Sequence, residues 1–263
     1  MGLFYVPIRR LVYLTAGALD RLVPLKTNIF ILCYHSIDNA GWDFSVRPEE
    51  FKKQINYLAD SYKFISLADL SAYLENKKAT DEPSVAITFD DGYKDILCIK
   101  SFLQSKNIKP TVFVFSDKKN VSRKELDTDK EFLAVDEIRE LISAGWEVGC
   151  HTATHSDMRT LNSDQINDEV VKSKQNLEKE LGIPVKYIAY PKGRYNSKVL
   201  DAVKKAGYKL GLTMDDMRIN RETDPLKVPR IGVDGTHSFN EFKVIMLPLV
   251  SGVRKLMKSF IFN

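Results

Sequence analysis

An α/β fold built on a parallel sheet, closed into a barrel or incomplete barrel of about seven strands, is what these 263 residues predict. Three observations carry the prediction. Short apolar runs alternate with longer segments of helical periodicity along most of the chain. The runs are near-continuously apolar, as in strands covered by helices, whereas a half-exposed antiparallel strand would alternate. The composition, 44% hydrophobic and 28% charged with 13 Gly and 10 Pro, is globular and excludes disordered, collagenous and disulfide-rich chains.

The elements follow in order. "NIFILCYH" (28–35) reads as a strand, and "PEEFKKQINYLADSY" (48–62) as a helix with Pro48 in its first turn. "SVAITFDD" (84–91) is a strand, "YKDILCIKSFLQSKN" (93–107) a helix and "PTVFVFS" (110–116) a strand. A polar, charged loop (117–131), expected to be the most mobile region, leads to the helix "VDEIRELISAG" (135–145). Strand "WEVGCH" (146–151), helix "SDQINDEVVKSKQNLEKELG" (163–182) and strand "VKYIAYP" (185–191) come next. Helix "NSKVLDAVKKAG" (196–207), strands "YKLGLTM" (208–214) and "KVPRIGVD" (227–234), and a last helix complete the chain.

The net charge of +4 is mild, and the body shows no concentrated basic face of the kind nucleic acid requires. Three cysteines, Cys33, Cys98 and Cys150, each sit in an apolar stretch and read as reduced core thiols. Both ends have basic amphipathic periodicity. Phe4, Leu11, Ala18 and Leu22 share one helical face, with Leu14, Leu19 and Leu25 nearby and Arg9, Arg10 and Arg21 towards the other side. Near the C-terminus Leu249, Val253, Leu256 and Phe260 form a stripe opposite Arg254, Lys255 and Lys258. Such helices either lie on an anionic membrane surface or pack on the body. The run "LVYLTAGAL" after an Arg pair raises an export signal, but Asp20 and Arg21 follow it at once. The expected location is therefore the cytoplasm or the inner membrane surface, with export by an N-terminal signal or anchor as the alternative.

In parallel α/β folds the chemistry sits at the carboxyl ends of the strands. There the chain places His35, the pair Asp90 and Asp91, His151 with His155, the turn "YPKGRYN", Asp215 and Asp216, Arg230 and, slightly further on, His237. Two histidines four apart on one helical turn can reach a single cation. A carboxylate from another strand completes a His₂Asp set with positions left for water, the open form of a catalytic metal site. The Glu of H-E-x-x-H is missing from "HTATH". Adjacent Asp side chains in a strand point apart, yet a turn at the strand end brings both to one site. A cation neutralising one leaves the other free as a general base, and without it one pKa would rise. The plainer alternatives are a polar loop cap for the histidines and an ordinary turn for "DDG".

"TFDDGY" (88–93) and "HTATH" (151–155), in that order with a strand between, resemble the first two motifs of the polysaccharide deacetylases, the NodB-homology or carbohydrate esterase family 4 proteins. The resemblance runs over about residues 28–235, within a central domain of 27–237 flanked by terminal segments 1–26 and 238–263. It implies a distorted (β/α)7 barrel of the NodB-homology type. It also implies that Asp91, His151 and His155 hold a divalent metal, usually zinc with cobalt or nickel as substitutes, and that Asp90 is the general base. The family's third motif usually reads Arg-Pro-Pro-Tyr-Gly. Here "AYPKG" (189–193) puts Ala189 at the Arg position and Lys192 at the Tyr position. "AYP" is similar to the subgroup that de-N-acetylates poly-N-acetylglucosamine. The resemblance thus assigns Tyr190, Pro191 and Lys192 to the substrate and oxyanion site, the last through its backbone N–H. The family's Leu-x-His acid is not visible, and His35 in "CYHSI" matches the subgroup's substitute. Arg230 in "VPRIGV" stands in for the missing Arg that orients the base.

The leading expectation is a metal-dependent hydrolase that removes an N-acetyl group from a sugar in a polysaccharide or a lipid-linked saccharide. The other readings are an O-acetyl esterase with the same machinery and a sugar-binding protein without turnover. A binder has no use for an unligated base beside a metal.

Overall fold

In a computed structural model that describes residues 5–20, 29–76 and 82–261, with side chains from 6 to 257 within those spans, each apolar run forms a strand. They are β1 (Ile29–Tyr34), β2 (Ser84–Phe89), β3 (Thr111–Val114), β4 (Glu147–Cys150), β5 (Tyr187–Ala189), β6 (Leu210–Leu212) and β7 (Ile231–Gly232). All pair in parallel, in the spatial order β7-β1-β2-β3-β4-β5-β6. A two-residue strand, Lys63–Phe64, adds to the start of β2. The curled sheet closes through one irregular segment. Val228 bridges Leu212 of β6, and three residues later Ile231 pairs with Leu32 of β1. That seam makes the barrel a distorted one.

Alternation along the strands separates two cores. Phe30, Leu32 and Tyr34 of β1 join Val85, Ile87 and Phe89 of β2 in the large cluster beneath the helices. Ile29 and Ile31 join Ala86, Phe113, Ala189 and Leu212 in a smaller cluster filling the lumen. The helix Leu67–Leu74 contributes Leu67, Leu70 and Leu74 to the same cluster and plugs one end. The lumen is tight: a Cβ at Gly149 would lie 2.2 Å from a ring carbon of Phe113. One consequence decides the site. The lumen phase of β1 runs on to His35 and that of β2 to Asp90, while Gly149 of β4 is in phase with His151.

Four features differ from the sequence reading. Segment 93–107 is a 3-10 stretch (Lys94–Ile99) running into a short α-helix (Lys100–Ser105). Loop 117–131 contains the helix Arg123–Leu126 and a small core of Phe115, Val121 and Leu126 against Phe132. All three thiols are free, but only Cys33 and Cys150 are buried; Cys98 is exposed.

The terminal helices, Tyr5–Asp20 and Pro248–Ile261, depart most. Arg9 and Arg254 do not belong to outward basic faces. Arg9 is buried against Glu241 and Thr236, and Arg254 against Asp216, His237 and the Gly232 carbonyl. Asp20 caps the second helix by accepting from the Leu249 and Val250 N–H groups. Phe4, Arg21, Leu22 and Leu25, and the side chains of Lys258 and Phe260, lie outside the described residues. Among the described residues no helix is long and apolar enough to cross a membrane.

Candidate active site

Asp90 enters the lumen from the end of β2 and meets Arg230, which precedes β7 and reaches in from the seam. The guanidinium donates to both carboxylate oxygens, at 2.6 and 2.7 Å, and also to Thr88 Oγ1 and the Thr213 carbonyl, both at 3.2 Å. Arg230 is fully buried, and Asp90 nearly so. Burial alone would raise the Asp90 carboxyl. The Arg230 charge opposes it most, with help from His151 and the two hydrogen bonds, and holds the group well below the usual carboxylate range.

Asp91 would point away from Asp90 if the strand simply continued. It does not continue: Asp91 and Gly92 take φ of 65° and 63°, two left-handed residues in succession, which turn the second carboxylate back over the barrel mouth. At Gly92 a Cβ would lie 2.8 Å from Val114 Cγ1, so only glycine fits there. Asp91 Oδ1 then lies 3.3 Å from His151 Nε2 and 3.7 Å from His155 Nε2.

The helical turn predicted for "HTATH" is absent. Residues 151–155 form an irregular loop with Thr152 and His155 both at φ 66°. A carboxylate overlooked in the sequence shapes it. Glu169, buried on a π-helical turn (Asp168–Lys172), accepts from the N–H groups of Ala153 and Thr154 at 2.9 Å each and from the Thr154 hydroxyl at 2.5 Å. His151 pairs its Nδ1 with the Ala189 carbonyl at 2.8 Å, which leaves Nε2 facing Asp91. Burial pulls the His155 imidazole down to about 4 against the opposing charge of Asp91, so it stands neutral at pH 7 with a lone pair available.

The donor set suits a divalent cation. One donor atom each from Asp91, His151 and His155 lies within 4.8 Å of the others. Asp91 Oδ1 is buried with no hydrogen-bond partner among the described residues, an acceptor left over once the protein's own contacts are made. Two imidazoles and one carboxylate with room beyond are the donors of an open zinc-type site.

A cavity of about 620 Å³ opens above these groups, walled by His35, Trp42, Phe44, Lys192, Met214 and Asp215 among others. His35 packs on Phe44 and has its Nδ1 buried without a partner among the described residues. A nitrogen of His35 lies within 4.8 Å of an Asp90 oxygen. The "AYPKG" turn is only partly at the site. Tyr190 is fully buried, with its hydroxyl donating to the Leu226 carbonyl at 2.8 Å, and Pro191 is buried too. Neither lines the cavity; Lys192, at φ 55°, does. His237 and Asp216 belong to the Arg254 network rather than to the cavity wall, whereas Asp215 lines it.

Residues 77–211, just over half of the chain, match the family model "Polysaccharide deacetylase". The chain belongs to the polysaccharide deacetylase family. Within the family, YxkH of Bacillus subtilis is 29% identical over 214 residues, 81% of this chain and 74% of that one. The poly-beta-1,6-N-acetyl-D-glucosamine N-deacetylase of Staphylococcus aureus (strain MRSA252) is 27% identical over 203 residues, covering 72% of this chain and 68% of its own. Streptococcus pyogenes deacetylase PplD, solved in complex with acetate, superposes with a TM-score of 0.72 at 26% identity, over 85% of this chain and 99% of its own. IcaB from Ammonifex degensii shares the fold, with a TM-score of 0.73 at 19% identity over 85% of this chain and 97% of its own. The deacetylase assignment and the distorted barrel expected from "TFDDGY" and "HTATH" therefore stand.

Proposed function

We propose that this polysaccharide deacetylase is a metal-dependent de-N-acetylase acting on N-acetylhexosamine units of a polymeric or lipid-linked glycan. The observation that carries the reading is the division between the two adjacent carboxylates. Asp91 offers an orphaned buried oxygen beside two imidazoles, while Asp90 is clamped to Arg230 and stays ionised beside them. Asp91, His151 and His155 would hold the cation, most simply zinc. When bound, it supplies a Lewis acid that acidifies water and polarises the acetamide carbonyl.

The chain's own residues then account for the proton movements. Arg230 occupies one lone pair on each Asp90 oxygen, so the carboxylate can still accept a proton from the attacking water. Its depressed pKa makes it a weak base. His35, at the cavity wall with a nitrogen within 4.8 Å of an Asp90 oxygen, delivers a proton to the departing amine nitrogen. The Lys192 N–H, at the cavity wall, is the oxyanion donor, a role that needs no particular side chain. The similarity to a poly-N-acetylglucosamine deacetylase supports an N-acetylglucosamine substrate. Acetate released from a panel of free, polymeric and lipid-linked N-acetylhexosamines tests the reading. Release from none of them, with the metal loaded, would sink it.

A further inference from the structure

Each terminal helix buries an arginine and leaves leucines exposed. On Tyr5–Asp20 the inward residues are Arg9, Tyr13, Gly17 and Asp20, while Ile8, Leu11, Leu14 and Leu19 face outward, Leu11 being 66% exposed. On Pro248–Ile261 the polar Ser251 and Arg254 are buried, while Leu249 and Leu256 are exposed. Single exposed leucines are ordinary. Two neighbouring helices that each bury an arginine and expose leucines are not.

The helices lie side by side and antiparallel. Asp20, at the end of the first, caps the start of the second, and Arg254 further along the second stacks 5.7 Å over the ring of Tyr13. The two helices thus present their exposed leucines from neighbouring elements. Arg9 and Arg254 are engaged by buried carboxylates, so the basic groups left on the outer side among the described residues are few. Arg10 is half-exposed although its Nε reaches the buried Glu241, and Lys255 is exposed next to Leu256. The second helix also borders the cavity: Lys255 lines its mouth and reaches the exposed Met217.

We infer that the outward apolar face of the two terminal helices, centred on Ile8, Leu11, Leu19, Leu249 and Leu256, seats on an anionic lipid surface and holds the cavity mouth against it. The leucines enter the boundary between headgroups and acyl chains, and the basic residues meet the anionic headgroups. Joined to the de-N-acetylase reading, on which this consequence rests, the arrangement selects saccharide presented at the bilayer, such as a lipid-linked N-acetylhexosamine, over glycan free in solution.

The full chain is tested by flotation with vesicles of phosphatidylcholine alone and of phosphatidylcholine mixed with phosphatidylglycerol. The chain should float with the mixed vesicles and bind more weakly as salt screens the headgroup charge. Each buried leucine contributes on the order of tenfold in partitioning, so Ile8→Glu with Leu11→Glu should weaken binding roughly a hundredfold. These positions are exposed, so turnover of a soluble oligosaccharide should be unchanged; Leu249→Glu is the second, independent variant. Asp90→Asn should float like the parent, which separates failure of the lipid contact from failure of the chemistry. Equal flotation of parent and variants, or none by the parent, overturns the inference. So does a vesicle-free dimer that the same substitutions dissociate, which would give the face to a second copy.

Discussion

Replacing Arg230 by Met removes the guanidinium paired with Asp90 inside the lumen. The two hydrogen bonds, at 2.6 and 2.7 Å between buried partners, make this a strong contact. Leaving the carboxylate without it costs about 3–5 kcal/mol. Part of that cost is escaped by taking up a proton, because burial, the largest influence on Asp90, raises its pKa once the guanidinium no longer opposes it. Only the ionised form accepts the water proton. Activity must then be lost as pH falls through a higher value, so the acid limb of kcat/KM moves to higher pH. The loss at neutral pH is bounded by that of the base itself, about 10²- to 10⁴-fold. The stability difference between variant and parent shrinks as pH falls. The parent's depressed Asp90 pKa stabilises the fold above about 3.9, the unfolded value, and that advantage fades as pH falls towards the folded value. The assay is kcat/KM against pH on a soluble N-acetylglucosamine oligomer with zinc present. An unmoved acid limb with unchanged kcat/KM would refute the claim that Arg230 holds the base.

Three further outcomes follow from other contacts. Glu169→Ala removes the acceptor for three donors in the 151–155 loop; zinc affinity should fall about 10- to 100-fold in a direct titration, with the fold retained. His35→Gln should cost about 10²- to 10⁴-fold on an amide and little on an aryl acetate, whose leaving group needs no acid; equal losses on both would remove His35 from the leaving-group side. Glu241 is raised by burial but lowered more by Ser238 and Arg9, so its stabilising effect is present above its ordinary value and lost as pH falls below it. Glu241→Gln should therefore cost about 3–5 kcal/mol in urea melts at neutral pH, with the difference shrinking below about pH 4.3.

The strands along the chain and the placement of Asp90, Asp91, His35, His151 and His155 at their ends were legible because apolar runs and strand ends are local patterns. The reason the two aspartates converge was only half legible: a turn was foreseen, but two left-handed residues were not. The geometry of "HTATH" was misread as helical, because the carboxylate that shapes the loop lies fourteen residues past His155, inside what reads as an ordinary amphipathic helix. Tyr190 was drawn into the site by motif position, whereas strand phase sends its ring into the core. The terminal helices showed their periodicity, but which side packs inward was left open. Periodicity finds a stripe but cannot say which stripe is buried when acidic partners such as Glu241 and Asp216 wait inside for the arginines.

The division of labour between the adjacent carboxylates is tested most directly by measuring zinc content and acetate release together for the parent, Asp90→Asn and Asp91→Asn. Asp91→Asn should lose zinc and turnover together. Asp90→Asn should keep zinc at the parent's affinity and lose turnover alone. An Asp90→Asn protein without zinc, beside an Asp91→Asn protein that still binds it and still releases acetate, would contradict the account.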